Sequence, residues 1–318
     1  MKKTRGKLLG FLICYQRSVI IKIDCCVNGS CPVVPKSCGH NLRLSSDLPK
    51  MISDDLTFYY PAISAVGFYI TVFSMAEITR KILDKMVHKS SSLYIFAIEL
   101  IATAQMCTCV YENSVMIRYY GPMAFFFTVT SLLTAGSFMN RGAFVSPLAP
   151  IEAFINGIIG VGRLLVLLSA EAIGGFCAFR LARTLWWHSL SFSTVHMENF
   201  SNSACTINYK IAFPLVIGFE ILGTFLLRLI LPNLPVRGKS YTVAATVAAF
   251  LSFALVFVGV PGLNPVVASS RLFGCDGIDT QWFIAVYWIC PVIGWMAAAN
   301  LQSSMAKKAP KKLKKKSN

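Results

Sequence analysis

Two carboxylates stand in the middle of long apolar runs: Glu99, in Glu99-Leu100-Ile101-Ala102-Thr103, and Glu220, in Glu220-Ile221-Leu222-Gly223-Thr224. Ionisable groups at such depth are rare and mark either a function or an obligatory partner. Two chemistries are open to them. They can carry protons, which would make the chain a coupled transporter, or they can accept hydrogen bonds from the backbone of buried loops, as buried polar groups usually do. Both contexts read Glu-x-x-small-Thr and lie 121 positions apart. A second pair of landmarks, Ser146-Pro147 and Asn264-Pro265, repeats after 118 positions, and each opens a short apolar stretch, about 147 to 156 and 265 to 273. Ser and Asn are competent helix caps because the side-chain oxygen accepts from an orphan N–H, and Pro suits the next position, where its missing N–H has no partner to lose. Gly142 ahead of one start, and Gly259 and Gly262 ahead of the other, let the chain turn sharply. Two such starts facing each other would bring two positive dipole ends to one point. That arrangement repels a cation or a hopping proton and leaves donors for a neutral polar solute.

The elements that must position these groups are membrane spans. The 318 residues are 55% hydrophobic and 14% charged, with a mean hydropathy of +0.60, whereas soluble domains carry charge at about a quarter of positions. A span needs ~20 mostly apolar residues. Seven runs qualify: about 58 to 78, 93 to 111, 119 to 138, 158 to 179, 211 to 231, 241 to 260 and 281 to 301. The stretches behind Ser146-Pro147 and Asn264-Pro265 are too short to cross and read as re-entrant half-helices. The formal charge of +16 includes seven lysines between Lys307 and Lys316, a local tail that leaves no basic face for nucleic acid. Eleven cysteines fall short of a disulfide scaffold, and Cys107, Cys109, Cys177 and Cys290 lie inside apolar runs, where a thiol acts as a small hydrophobe. His40, His88 and His196 fall outside the runs, and His188 follows Trp186-Trp187 at a span end. No pair has metal-ligand spacing, so no metal, cofactor or enzymatic activity is expected.

Orientation follows the lysines and arginines, which cytoplasmic loops accumulate. With the C-terminal tail inside, walking back through the spans puts Arg80, Lys81, Lys85, Lys89, Arg141, Arg237 and Lys239 inside, and the loop from about 183 to 210 outside. That loop carries Asn199-Phe200-Ser201, a glycosylation sequon usable only on a lumenal or extracellular face. The same walk exports residues 1 to 57 with their nine basic residues. A metal site from Cys25, Cys26, Cys31, Cys38 and His40 is the weakest of three readings there, since the spacing Cys-Cys-x4-Cys-x6-Cys matches no ligand pattern, and two others stay open. Lys2 to Lys7 followed by Leu8 to Cys14 is a weak signal or anchor that exports the segment, with a second sequon at Asn28-Gly29-Ser30 and with Cys25, Cys26, Cys31 and Cys38 able to pair. Alternatively the segment is a cytoplasmic extension and the run 58 to 78 lies in the interface.

Three full spans separate each landmark from its copy, an odd number, so the second copy enters the membrane from the opposite face. Such an inverted repeat places its working site near the midplane, at the pseudo-two-fold. The expected organisation is an N-terminal extension (1–57), an extra apolar helix and basic loop (58–92), a first repeat (93–182), a lumenal loop (183–210), a second, inverted repeat (211–301) and a cytosolic Lys-rich tail (302–318).

On these residues the chain resembles the aquaporin family. Gly142 to Leu148 (Gly-Ala-Phe-Val-Ser-Pro-Leu) and Gly262 to Val266 (Gly-Leu-Asn-Pro-Val) are similar to its inverted pair of Asn-Pro-Ala boxes. Glu99 and Glu220 match glutamates of its first and fourth helices, and Val286 to Gly294 is similar to its sixth-helix Tyr-Trp-x-x-Pro-x-x-Gly. The resemblance, over about 93 to 301, implies an all-α membrane protein. It would be an aquaporin-like inverted repeat, each half with three transmembrane helices and one re-entrant half-helix, preceded here by an extra apolar helix. It implies a channel, not an enzyme, through which water and small neutral solutes cross the lipid bilayer passively.

Ser146, Pro147, Asn264 and Pro265 would cap the half-helices, and family spacing places the narrow filter at Phe126, Ser252, Pro261 and Val267. Glu99, Glu220 and Glu171, the last standing where the family tends to have Gln, would be structural polar groups. Val267 occupies the place of the expected arginine, so the filter lacks a fixed charge and five donors and is expected to be wider and less polar. Arg271, one turn on, would either restore part of that charge or pair with Glu220 or Glu171. Degenerate boxes, the run from Gln105 to Glu112 with its two cysteines, and the extra apolar run resemble the unorthodox superaquaporin branch. That implies an intracellular homotetramer passing water, glycerol or hydrogen peroxide. Lys315 and Lys316, fourth and third from the C-terminus, resemble the di-lysine signal read by the retrieval coat of the endoplasmic reticulum. A tail bound to anionic lipid at the plasma membrane is the second choice. Two other readings remain: a non-conducting scaffold, for which bulky Leu148 and Val266 beside the boxes would speak, and a proton-coupled transporter.

Overall fold

The computed structural model describes residues 54–201, 205–260 and 262–308. The expectations placed on Asn28, Pro261, Lys315 and Lys316, and on the N-terminal cysteines, lie outside the described residues. The chain is helical because at membrane depth only intrasegment bonding satisfies every backbone N–H and C=O. Helix α1 (Asp54–Met86) is followed by α2 (Ser92–Met139), the half-helix α3 (Leu148–Ile155), α4 (Val161–Ser189) and the short α5 (Thr194–Ser201). Then come α6 (Phe213–Ile230), α7 (Lys239–Phe253), the half-helix α8 (Pro265–Leu272), α9 (Thr280–Ile284) and α10 (Cys290–Lys308). The stretch Ala254–Val258 extends α7, and Ala285–Ile289 joins α9 to α10, both with π-helical bonding. Six of these segments are long and apolar enough to cross a membrane.

One of the six counts twice. Drawn straight, the 48 residues of α2 would run to about 72 Å, more than double a ~30 Å hydrocarbon core. Gly121 breaks the helix with φ 76° and ψ −170°, a conformation suited to glycine, and Pro122 follows it. The fold-back is shown by Arg80, whose Nη2 donates to Gln105 Oε1 at 2.5 Å and to Asn140 Oδ1 at 2.9 Å. In a straight helix those acceptors would be about 50 Å apart. The segment is therefore a hairpin, with a first arm from Ser92 to Gly121 and a second arm from Pro122 to Met139. With this hairpin the seven expected spans are all present.

The two halves pack alike. Gly174 in α4 sits so close to the first arm that an added Cβ would lie 2.8 Å from the Leu100 carbonyl and 3.0 Å from Thr103 Cβ. Gly294 in α10 meets α6 in the same way, where a Cβ would overlap the Ile221 carbonyl and the Thr224 hydroxyl. Leu100 and Ile221, Thr103 and Thr224, and Gly174 and Gly294 repeat after 121, 121 and 120 positions. This is nearly the period of the carboxylates and the boxes, so the inverted repeat is expressed as backbone-to-backbone packing of the helices that carry Glu99 and Glu220.

Helix α1 stands outside the repeat and is docked to it. Phe68, Tyr69 and Val72 pack with Cys109 and Val115 of the first arm and with Ala182 and Trp186 of α4. Tyr69 donates to Asn113 Oδ1 at 2.7 Å and Tyr120 to the Phe58 carbonyl at 2.6 Å. Arg141 ties the helix's other end through Glu77 and Asp84, at 2.9 and 3.0 Å. Its remaining face, with Ile63, Val66, Ile70, Ile78 and Ile82 exposed, suits lipid. Cys107, Cys109 and Cys290 are free and buried, as small hydrophobes would be.

A disulfide not expected from the sequence joins Cys205 to Cys275, 70 positions on. It fastens the loop before α6 to the segment after α8, and Ile207 N and Asp276 N add bonds to Asp276 O (2.8 Å) and Cys205 O (3.1 Å). Both segments fall on the side opposite the lysine tail in the expected topology, which is the side where disulfides persist if it is lumenal or extracellular. Cys275→Ser is expected to cost about 2–4 kcal/mol, or about 4–16 °C in melting temperature at ~2–4 °C per kcal/mol. Dithiothreitol should produce the same loss in the wild type and none in the variant, as scanning fluorimetry in detergent would show.

Candidate pore site

The residues just ahead of the two boxes share an unusual backbone. Val145 (φ 57°) and Leu263 (φ 66°) are left-handed, a conformation that costs a side-chain-bearing residue, and a β-branched one most. Each is held there by a carboxylate. Glu99 accepts from Val145 N at 2.6 Å and from Phe144 N at 3.1 Å, one bond to each oxygen. Glu220 accepts from Leu263 N at 2.8 Å through Oε2. Gly262 leaves no room beside that carboxylate, since a Cβ there would overlap Glu220 Oε1. Gly142 (φ 82°) and Gly259 (φ 98°) make the expected turns. Glu99 and Glu220, 2% and 0% exposed, thus accept hydrogen bonds from loop backbone.

Asn264 caps α8, its Oδ1 accepting from Val266 N at 3.1 Å and Val267 N at 3.5 Å. Its Nδ2 crosses to the other half and donates to the Val145 carbonyl at 2.9 Å. The two half-helix starts therefore meet. Ser146 differs from its expected role: α3 begins at Leu148, Pro147 holds the cap position with helical angles, and no side chain caps the helix. The physical reason is the one-residue shift, because a proline at the cap has no side-chain acceptor. Glu171 lies fully buried against Glu99 and the Ser146 backbone amide, with neither oxygen in a well-formed hydrogen bond.

Each half-helix is anchored along its length. Glu152 of α3 takes a two-bond clamp from Arg228 (2.7 and 2.6 Å) and a bond from Trp295 Nε1 (2.7 Å). Ser270 of α8 donates to the Gly175 carbonyl at 2.7 Å and accepts from the Tyr111 hydroxyl through its own carbonyl, while Trp288 Nε1 donates to Ser269 Oγ at 2.8 Å. Arg271 donates to the Val110 carbonyl at 3.1 Å. It makes no ion pair with Glu220 or Glu171 among the described residues, a correction to that expectation: its guanidinium is turned to the Val110 carbonyl of the first arm instead.

Of the positions expected to form the filter, Phe126 lies on the second arm in a cluster with Phe125, Val129 and Ala248. Val267 packs with Cys107, Ala178 and Val266 beside Tyr111 and Trp288. Ser252 is on α7, its hydroxyl buried and without a hydrogen-bond partner. Asn199, the described sequon residue, is half-buried in α5, with Oδ1 accepting from Arg118 at 2.7 Å and Nδ2 3.5 Å from Glu112 Oε2.

The sequence reading missed a polar cluster at this end of the first arm. Glu112, fully buried, accepts from Trp186 Nε1 at 2.7 Å and faces His196 Nε2 at 3.1 Å, while His196 Nδ1 lies 2.6 Å from Ser189 Oγ. Ser, His and Glu in series evoke nucleophile activation. Ser189, however, is only 8% exposed and its hydroxyl already has the Leu185 and Trp186 carbonyls within 3.0 Å. The cluster fastens α5 over the hairpin. The available signal was Glu112-Asn113 standing between two apolar runs with no Gly or Pro to make a loop of them.

No protein-family model matches the chain. It is 43% identical over 260 residues to putative aquaporin-10 of Caenorhabditis elegans, covering 81% of this chain and 93% of that one. It is 23% identical over 235 residues to aquaporin-11 of Milnesium tardigradum (74% and 85% covered) and 24% identical over 241 residues to human aquaporin-11 (73% and 85%).

Proposed function

We propose a function for this chain, which belongs to the aquaporin family, among relatives of the superaquaporin type. It is a multi-pass membrane channel of that type, and we infer that it passes water and small neutral solutes such as glycerol or hydrogen peroxide passively. The observation that carries this reading is the bond from Asn264 Nδ2 to the Val145 carbonyl. It brings two half-helix starts together, and their positive ends oppose ions while their free N–H groups serve a neutral solute. The engagement of Glu99 and Glu220 with loop backbone supports passive passage over proton coupling. Val266, 3% exposed and turned so that its Cγ1 would lie 3.1 Å from a Cβ on Gly175, is packed against α4. The bulk beside the second box therefore does not speak for a closed scaffold. Within this reading the filter is Phe126, Ser252, Pro261 and Val267, the protein is a homotetramer of the endoplasmic reticulum, and Lys315 and Lys316 engage the retrieval coat.

The test is stopped-flow light scattering on proteoliposomes under gradients of water, glycerol and peroxide, with wild type and Val267→Arg. The arginine adds five donors and a charge at the filter. It is expected to cut glycerol permeability at least tenfold while water permeability changes less than threefold, a discrimination on the order of one to two hydrogen bonds. Equal losses for both solutes would place the filter elsewhere.

One observation favours a second reading, proton coupling: Glu171, fully buried beside the first box and set against a second carboxyl group, Glu99. Solute uptake that rises under an inward proton gradient, and falls to the passive rate in Glu171→Gln, would replace the passive reading.

A further inference from the structure

We infer that Thr134 is a second solute-binding position of the pore, the inverted-repeat mate of Ser252, with its hydroxyl serving a small neutral hydrogen-bonding solute on the other side of the meeting boxes. The inference rests on the channel reading and adds a residue to it. Three observations carry it. Thr134 Oγ1 and Ser252 Oγ are both buried without a hydrogen-bond partner. Buried hydroxyls are rarely left so, unless water or a ligand completes them. Both also decline an easy alternative, since Thr108, Thr130, Thr184, Thr224 and Thr246 each donate to the carbonyl four residues back, at 2.6 to 2.8 Å.

The second observation is register. Leu133-Thr134 and Leu251-Ser252 are 118 positions apart, the separation of Ser146 from Asn264, and each hydroxyl stands twelve residues ahead of its box. The third is packing. Leu133 of the second arm and Leu251 of α7 join one cluster with Phe126 and Ala248. Phe126, Thr130 and Thr134 fall at i, i+4 and i+8 on one helix stripe. Ala244, Ala248 and Ser252 form the matching stripe on α7. The second arm and α7 run in opposite senses through the inverted repeat, so equal register places the two hydroxyls on opposite sides of the boxes. A third unpartnered hydroxyl, Thr103, has a different explanation, because it is pressed against Gly174 between two helix backbones.

Thr134→Val keeps shape and removes the hydroxyl, and Thr134→Ser keeps the hydroxyl and removes a methyl. In proteoliposomes, Thr134→Val is expected to lower water and glycerol permeability about fivefold, the scale of one lost hydrogen bond, and Thr134→Ser to stay within twofold of wild type. Because the hydroxyl has no protein partner, the melting temperature of Thr134→Val should not fall. A conducting wild type with Thr134→Val unchanged overturns the inference alone, as do equal losses in both variants, which would mean packing. A folded wild type that does not conduct overturns the channel reading and the inference together.

Discussion

Gly294→Ala is expected to abolish the folded protein or to lower its melting temperature by about 6–12 °C, from a loss of roughly 3 kcal/mol at ~2–4 °C per kcal/mol. The new methyl would overlap the Ile221 carbonyl and the Thr224 hydroxyl. A backbone carbonyl inside a helix cannot swing aside, so α6 and α10 must separate. Separation would also disturb Glu220, one turn before Thr224, and through it the second box. Gly174→Ala is expected to cost less, because its Cβ would stand 2.8 Å from the Leu100 carbonyl and 3.0 Å from Thr103 Cβ, a shallower overlap against the same kind of helix carbonyl, so the two helices need to part by less. Gly67→Ala and Gly218→Ala serve as controls: nothing lies within 4 Å of either added methyl, and alanine is the better helix former by about 1 kcal/mol. Neither should lower stability. Thermal scanning of the four purified variants in detergent reads the order, and a Gly294→Ala protein as stable as Gly67→Ala would refute the close packing of the repeat.

The two matched glutamates should respond differently to the same substitution. Both Glu99 oxygens accept a backbone N–H, at 2.6 and 3.1 Å, so Gln at this position must aim its NH2 at a donor. One bond is lost and two donors face each other in a buried place, at a cost of about 1–3 kcal/mol. Glu220 accepts one N–H through Oε2 and leaves Oε1 without a partner. Gln can keep that acceptor and put its NH2 where nothing is lost. Glu220→Gln is therefore expected to retain stability and permeability within twofold, whereas Glu99→Gln loses about 2–12 °C in melting temperature and most of its permeability. Indistinguishable variants, in melting and in flux, would show that the number of accepted backbone bonds is not what these residues provide.

Much of the architecture was legible because it is written in residue type and spacing. Runs of apolar length placed the spans, Pro after Ser or Asn placed the half-helices within a residue, and the Glu-x-x-small-Thr echo exposed the inverted repeat before any helix was packed. What escaped depended on partners distant in the chain. Glu112 and Asn113 look like a break between runs, yet they stay helical because Trp186, His196 and Tyr69 satisfy them from elsewhere. Hydropathy registers a charge and not its partner. Arg80 was assigned to a basic loop for the same reason, although it is fully buried and bonds both arms of the hairpin. Cys205 and Cys275 offered no pattern, since only the fold brings the loop before α6 under the exit of α8. The left-handed Val145 and Leu263 were hidden because neither residue favours that conformation, which the carboxylates hold in place.

Passive conduction runs, in the proposed function, through the point where Asn264 meets Val145. Its most direct measurement is the osmotic water permeability of wild-type proteoliposomes at several temperatures, beside protein-free vesicles of the same lipid, with insertion verified and the Cys205–Cys275 bond intact. A channel should raise permeability severalfold and weaken its temperature dependence, because water then crosses without dissolving in hydrocarbon. Permeability and temperature dependence equal to those of empty vesicles, with folded protein in the membrane, would contradict conduction and leave an aquaporin fold kept for assembly.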